Sequence, residues 1–539
     1  MKIIQNKTLL LLSLIGIFFF SCDDSEFLDR EPIDFLSPDN IKSSRDLRET
    51  VNGIYSAYIS DKEEPIFTDF FTDNGLQSSY IEIWNGSFNN ESQFVEKKWA
   101  RNYKVILRAN TVLDNIDNIQ ITEEEYNQFK GEAIFMRALA YFDLSEFYGG
   151  VPLRTKVESL AEANKPITPL NELVDFILDE LETASELLPV DYDSSNNGRA
   201  TKGAALAIKA RVLLFNKRYE QAAVYCQKVK DLGKYTIYDE YGNLFLPEGE
   251  SNNTETIFDM QFETDQKDLG VSTIWNTYFL LYNSYSALKN LADEYYTTNG
   301  LSVKDPSNTE YYTSVNPDVL YPQYAGTQQG VYDNRFANRD PRMHNTIVVP
   351  YSLFRFTKAD GTPEVYIPQR HTVNFTGFRV RKYIDYSNKW EHQISGVNPI
   401  IIRYADILLM EAEALVEQGG YDENYVSNLI NQVRQRPSVM MPKVEDVEGT
   451  GLSQEEMRQI IRHERRVEFA FEGLRIFDIM RWDDGEKAFT NAYGYRPELL
   501  KYNSADYEEY IYLSSTFDPS KGYLWPIPKV ETDSNNAID

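Results

Sequence analysis

What most narrows the fold of this chain is a pair of amphipathic helices written into residues 201–232. Leu206, Ala207, Ala210, Leu213 and Leu214 fall at i, i+1, i+4, i+7 and i+8, one stripe along a helix. Asn216-Lys217-Arg218 makes a short turn, and Tyr219, Ala222, Ala223, Cys226 and Val229 stripe a second helix that Gly233 can end. Alanine on both stripes lets the two backbones approach closely. Such stripes are stable only against another apolar surface, so the pair must pack on further helices.

A pair of about 34 residues with this pattern resembles a tetratricopeptide repeat. Residues 402–434 repeat the logic, with Ala405, Leu408, Leu409, Ala412 and Leu415, then Gly419-Gly420, then Val426, Leu429, Ile430 and Val433. Ala133, Met136, Ala140, Tyr141 and Leu144 stripe a helix that stops at Gly149-Gly150 before Pro152. Leu173, Phe176, Ile177, Leu181, Ala184 and Leu188 stripe another, with Thr168 as N-cap, Pro169 at its first position and Pro189 beyond its end. Helices near 43–59 and 95–118 complete four pairs. The predicted fold is mainly α, a scaffold of tetratricopeptide-like helix pairs. The pairs are not contiguous in sequence, so no simple solenoid is expected. Two excursions, roughly 60–94 and 235–400, interrupt them, both rich in Tyr, Trp, Asn, Asp and Gly. Loops of that length in a compact body carry function or short structure of their own. The expected organisation is an N-terminal helical region over 41–234 that holds the first excursion, and a C-terminal region over 235–539, irregular to about 400.

Composition excludes several functions. The chain has 539 residues and 54 Lys+Arg against 83 Asp+Glu, a formal charge of −29. That balance argues against a nucleic-acid binder, which needs clustered cations to neutralise phosphates. It argues equally against adhesion to anionic lipid through the protein surface. Two cysteines cannot build a disulfide framework or a Cys-rich zinc site. His344, His371, His392 and His463 have no HExxH or HxH spacing, so no metal is expected. Gly449-Thr450-Gly451 lacks the third glycine of a dinucleotide loop, and no GxSxG nucleophile elbow occurs.

The N-terminus reads as an address followed by an anchor. Lys2 and Lys7 give a positive start, and Leu9 to Phe20 is apolar apart from Ser13 and Gly16. This run is too short to span about 30 Å of hydrocarbon and fits a secretory signal over 1–21. It ends at Ser21-Cys22, which resembles a bacterial lipoprotein signal, with Cys22 as the lipidated first residue of the mature chain and Phe19 where Leu is usual. Asp23-Asp24-Ser25-Glu26 resembles the signal that sends Bacteroidetes lipoproteins to the cell surface. Residues 22–40, with Pro32 and Pro38, read as a tether.

Separate blocks along the chain carry a family resemblance. His463-Glu464-Arg465-Arg466-Val467-Glu468 through Glu472-Gly473-Leu474-Arg475 to Asp478 and Arg481-Trp482 resembles the "ER..E...EG.R..D..RW" block of the SusD/RagB family. Arg403-Tyr404-Ala405-Asp406 to Glu411-Ala412-Glu413-Ala414 is similar to its "RYAE.LLM.AEA" helix, and Ile430-Asn431-Gln432-Val433-Arg434-Gln435-Arg436 to its continuation. Arg339-Asp340-Pro341-Arg342, Trp99 to Asn110, Gly149 to Leu153 and Leu524-Trp525-Pro526-Ile527-Pro528 also fit, in the right order over nearly the whole mature chain. The resemblance implies a non-enzymatic surface lipoprotein of the outer membrane. Such a protein captures oligo- or polysaccharide and passes it to a SusC-like TonB-dependent transporter, with no cofactor. A peptide-capturing RagB-like protein is the serious alternative. A glycoside hydrolase would need two carboxylates about 5–9 Å apart and has no supporting motif.

Arg465, Glu468, Arg475, Asp478 and Arg481 read as a buried ion network locking the C-terminal helices. Arg475, Asp478 and Arg481, three apart, can pair along one helix face. Trp99 with Tyr103 reads as core. Binding chemistry is expected in the excursions, because sugars are held by aromatic faces and by Asn, Asp and Gln hydrogen bonds. The first offers Asp73, Asn74, Tyr80, Trp84 and Phe88-Asn89-Asn90; its Asn-Gly pairs can equally be turns, and Trp84 can be core or platform. The second offers Trp275, Tyr278, Tyr282 and Tyr285, whose spacing of three, four and three is also that of a buried helical stripe. The candidate ligand contacts are Asp73, Asn74, Tyr80, Trp84, Trp275, Tyr278 and Tyr282.

Overall fold

The computed structural model describes residues 41–60, 66–77, 81–84, 86–263, 285–308, 336, 338–349, 352–357, 363–365, 376–384, 395–495, 509–515, 517–520 and 522–538. The leader, the tether and Cys22 lie outside them. The scaffold helices are α1 (Ser44–Tyr58), α2 (Gln93–Asn115), α3 (Glu123–Tyr148), α4 (Leu170–Leu187), α5 (Lys202–Phe215) and α6 (Tyr219–Asp231). After the second excursion come α7 (Tyr404–Gln418), α8 (Glu423–Arg434), α9 (Gln454–Phe469) and α10 (Arg475–Trp482). Their ends follow local chemistry. Thr122 and Ser453 form capping boxes with Glu125 and Glu456 at the starts of α3 and α9. Gly149, at φ +74°, ends α3 where a side chain would be strained. One boundary differs from expectation: Pro169, not Thr168, is the N-cap of α4, and Leu170 is its first helical residue.

The fold is mainly α, and each helix from α1 to α8 packs on the next, α6 on α7 included. The excursion between α6 and α7 is therefore looped out of a stack that is continuous in space. Its ends are stitched together by β2 (Thr256–Asp259) and β4 (Ile400–Arg403), an antiparallel pair. β1 (Gly75–Gln77) of the first excursion pairs with β3 (Tyr285–Ala287) of the second, so the two excursions meet. The large apolar core fills the space among α1–α6 and α7, and includes Trp99, whose ring stands edge-on to Tyr148 at 5.0 Å. A second core of Phe67, Phe70, Tyr285 and Phe471 lies where the excursions meet the end of α9.

The charged block is buried framework. Glu468 is fully buried and accepts from Arg342 (2.8 Å), Arg403 (2.7 Å) and Arg436 (2.8 Å). Burial pushes its carboxyl up, but the three guanidiniums outweigh that and hold it well below the usual range. Asp406 of α7 pairs with Arg465 of α9 and Arg211 of α5, both at 2.7 Å. Against the cost of burial, these two hold its carboxyl at about 2. Arg481 pairs with Asp478 at 2.7 Å along α10, as its spacing suggests. Arg475 does not join that row; it leaves the helix to reach the first excursion.

Candidate ligand-binding site

The first excursion is held at its base by buried polar contacts. Asp69 accepts the Gly473 N–H (2.6 Å) and the Asn74 amide (2.9 Å). Desolvation raises its carboxyl to about 7. Asp73 takes both prongs of Arg475 (2.8 and 2.9 Å) and Nη2 of Arg466 (2.9 Å). The Asn74 side chain lies between Asp69 and Arg466 Nε (3.2 Å). Asp73 and Asn74 are buried, so neither presents the exposed oxygens expected of a sugar contact. They fasten the loop to the loop–helix junction before α10.

Trp84 is 2% exposed, and its indole N–H donates to the Thr72 carbonyl at 3.0 Å. It packs with Leu76, Leu288 and Ala492. A buried indole with its donor satisfied is a wall support rather than an open platform. Tyr80, Trp275, Tyr278 and Tyr282 lie outside the described residues.

Beyond this base, a cavity of about 940 Å³ opens between Trp84, Gly86 and Phe88 to Asn90 on one side and Phe489, Ser515, Phe517 and Gly522 to Pro526 on the other. One wall carries Phe88, Asn89 and Asn90, and the buried Trp84 also lines the cavity on this side. The Phe88 ring is half-buried and stands 6.0 Å from Trp525, edge to face. Trp525 is buried at the floor, against Phe94 (5.2 Å) and Phe147 (4.4 Å). The other wall is a row of half-buried rings. Phe489 stacks on Phe517 at 5.9 Å, and Phe517 on Tyr523 at 4.7 Å. Stacking consumes both faces of Phe517, leaving the outer faces of the row to a ligand. The Tyr523 hydroxyl accepts the Gly485 N–H and donates to Asp483, each at 2.9 Å, which fixes the ring; desolvation raises its hydroxyl to about 12.

The polar lining is sparse. Asn89, Asn90 and Asp518 stand at the cavity with exposed or half-exposed side chains. A cavity of this size, mostly apolar and aromatic with a few hydrogen-bonding groups, suits a ligand with apolar ring faces and hydroxyl edges. Phe88-Asn89-Asn90 had the right composition to be noticed in the sequence. Phe489, Phe517 and Tyr523 did not stand out; the one signal was the Asp, Pro and Gly around two aromatics in Phe517-Asp518-Pro519 and Gly522-Tyr523-Leu524-Trp525. Among the described residues, no group of three His, Cys, Asp or Glu side chains could hold a metal ion.

Known proteins carry the same architecture. Residues 248–539, more than half of the chain, match the SusD family. The chain belongs to the SusD family. Residues 26–214 match a second SusD-like family, described as starch-binding and associating with the outer membrane. The chain is 27% identical over 503 residues to SusD-like protein P38 of Formosa agariphila, covering 89% of this chain and 92% of the relative. A SusD-like protein of Bacteroides fragilis is 28% identical, with a TM-score of 0.76 over 92% of this chain and 96% of its own. A SusD-like carbohydrate binding protein of the same species is 25% identical, with a TM-score of 0.79 over 92% of this chain and 99% of its own. SusD-like proteins are a carbohydrate-binding, non-catalytic group, and the family model over residues 26–214 is the one described as associating with the outer membrane. Among the chain's described residues, no helix is long and apolar enough to cross a membrane.

Proposed function

We propose that the protein is a cell-surface lipoprotein, anchored through Cys22, that captures oligo- or polysaccharide and delivers it to a SusC-like TonB-dependent transporter. The observation that carries the capture step is the aromatic cavity with Phe88 and Asn89-Asn90 on one wall and the Tyr523 end of a ring row on the other. Sugar C–H faces lie on the outer faces of Phe88 and Tyr523, and hydroxyls bond to Asn89, Asn90 and Asp518. Tyr80, Trp275, Tyr278 and Tyr282 are proposed as further contacts on their residue chemistry. Asp73, Asn74 and Trp84 serve the site by position, keeping its first wall in place. The anchor rests on the apolar run ending at Ser21-Cys22, and surface display on the acidic residues after it.

Calorimetric titration of a retained glycan into wild-type protein, Phe88→Ala and Tyr523→Ala tests the site. Each substitution is expected to cost about 1 kcal/mol or more, roughly five-fold in affinity. Unchanged affinity in both variants would remove this cavity from the function.

A further inference from the structure

A second cavity, sharing no lining residue with the aromatic one, combines six polar side chains with an apolar wall. It measures about 240 Å³ and lies where the β2–β4 pair meets the loop before α5. That is room for about eight waters, at about 30 Å³ each, and too small for a chain of sugars. Asp259, at the end of β2, takes one side-chain donor among the described residues, Gln261 Nε2 at 2.8 Å on Oδ1. Its Oδ2 takes no side-chain donor there, and burial raises the carboxyl to about 6. Asn398, 8% exposed, uses its Oδ1 to accept the Phe262 N–H at 2.7 Å. Its amide Nδ2 has no hydrogen-bond partner among the described residues and is not sealed from the cavity. Thr256 accepts from Asn253 at 2.7 Å, which leaves its hydroxyl proton to donate, and the Asn197 amide stands at the rim.

The backbone makes room for these groups. Gly198, at φ +81°, touches Gln261 so closely that a Cβ there would meet Gln261 Cγ at 2.1 Å. The apolar part of the wall is Leu244, Phe245, Leu246 and Ile400. The cavity thus offers an anionic acceptor, an amide donor and a hydroxyl within one small volume beside an apolar wall. Adjacent hydroxyls on a ring answer all of these, since each both donates and accepts. An anion would meet Asp259, and a cation would find a single carboxylate.

We propose that this cavity binds one neutral sugar unit, a free monosaccharide or the terminal residue of an oligosaccharide, separately from the aromatic cavity. Asp259 bridges neighbouring hydroxyls as acceptor, Asn398 and Thr256 donate to ring or hydroxyl oxygens, and Asn197 closes the rim.

Saturation-transfer NMR on the purified protein with glucose, galactose, mannose and xylose tests it, alongside Asn197→Ala, Asn398→Ala and Phe88→Ala. Asn197 makes no side-chain hydrogen bond among the described residues, so its variant should keep the fold even if Asn398→Ala does not. At least one sugar should give saturable transfer, weakened ten-fold or more by Asn197→Ala and unchanged by Phe88→Ala. No transfer from any of the four sugars overturns the proposal. So does transfer lost in Phe88→Ala and kept in Asn197→Ala, which would put the sugar in the aromatic cavity. Failure of glycan capture at Phe88 with this second response intact would sink the first site alone.

Discussion

Asp73 and Arg475 are 402 positions apart in the chain, yet a bidentate contact joins them. Both are largely buried, so removing Arg475 leaves Asp73 with Arg466 as its remaining cationic partner and takes away two charge-assisted hydrogen bonds. Arg475→Ala is expected to lower stability by about 1.5–3 kcal/mol and to leave the glycan affinity of the folded protein intact. Thermal melts paired with titration check this; lost binding at an unchanged melting temperature would mean that Arg475 touches ligand. Trp84 belongs to the same base. Emptying its site should cost about 3–5 kcal/mol on Trp84→Ala, with Trp84→Phe recovering part of it, as read from denaturant midpoints. A Trp84→Ala protein of normal stability but weak binding would return that indole to the ligand. The sequence showed Asp73, Asn74 and Trp84 as polar and aromatic groups in a loop, which is also how an exposed site reads. Their partners, Arg466, Arg475 and the Thr72 carbonyl, are supplied by tertiary contacts that no local pattern encodes.

Helices were the most legible elements, because burial on one side leaves a periodic stripe. The pairs at 201–232 and 402–434 formed, and Gly149 and Gly233 ended helices where their left-handed φ was needed. What periodicity could not show is that α6 meets α7 across the long excursion. At the base of that excursion β2 and β4 close the loop. The row Phe489, Phe517 and Tyr523 was illegible for a related reason: its members come from separate short segments, and Trp525 beside them reads as framework. The same helices set the acid response. Asp406 joins α5, α7 and α9, and its folded carboxyl titrates near 2, below the unfolded value of about 4. Its stabilisation is therefore complete above pH 4 and is lost as pH falls through 2, in step with Glu468, which is depressed in the same direction. Melting temperature should drop steeply as pH falls below 4, and should also decline as pH rises from 4 through 7, where Asp69, raised to about 7 in the folded protein, loses the proton that burial favours. In Asp406→Asn the acid drop should be shallower from a lower maximum, whereas an unaltered slope would contradict the assignment.

For the whole molecule, a strongly acidic body has no electrostatic reason to adhere to anionic lipid, and the proposed attachment is through the N-terminal lipid. Cys22→Ala should move the protein from the membrane to the soluble fraction on cell fractionation. Wild-type recovery in the membrane would contradict the lipid anchor. The scaffold buries its charges in a continuous helical stack and leaves its aromatic cavity where the first excursion meets the C-terminal segments. That division of labour suits capture without chemistry. Its most direct test is affinity electrophoresis of the protein lacking residues 1–22 through gels holding a panel of polysaccharides, with reducing ends assayed in parallel. The expected result is retardation by at least one glycan, relieved by Phe88→Ala, with no new reducing ends. Release of reducing ends, or free migration through every glycan, would contradict it.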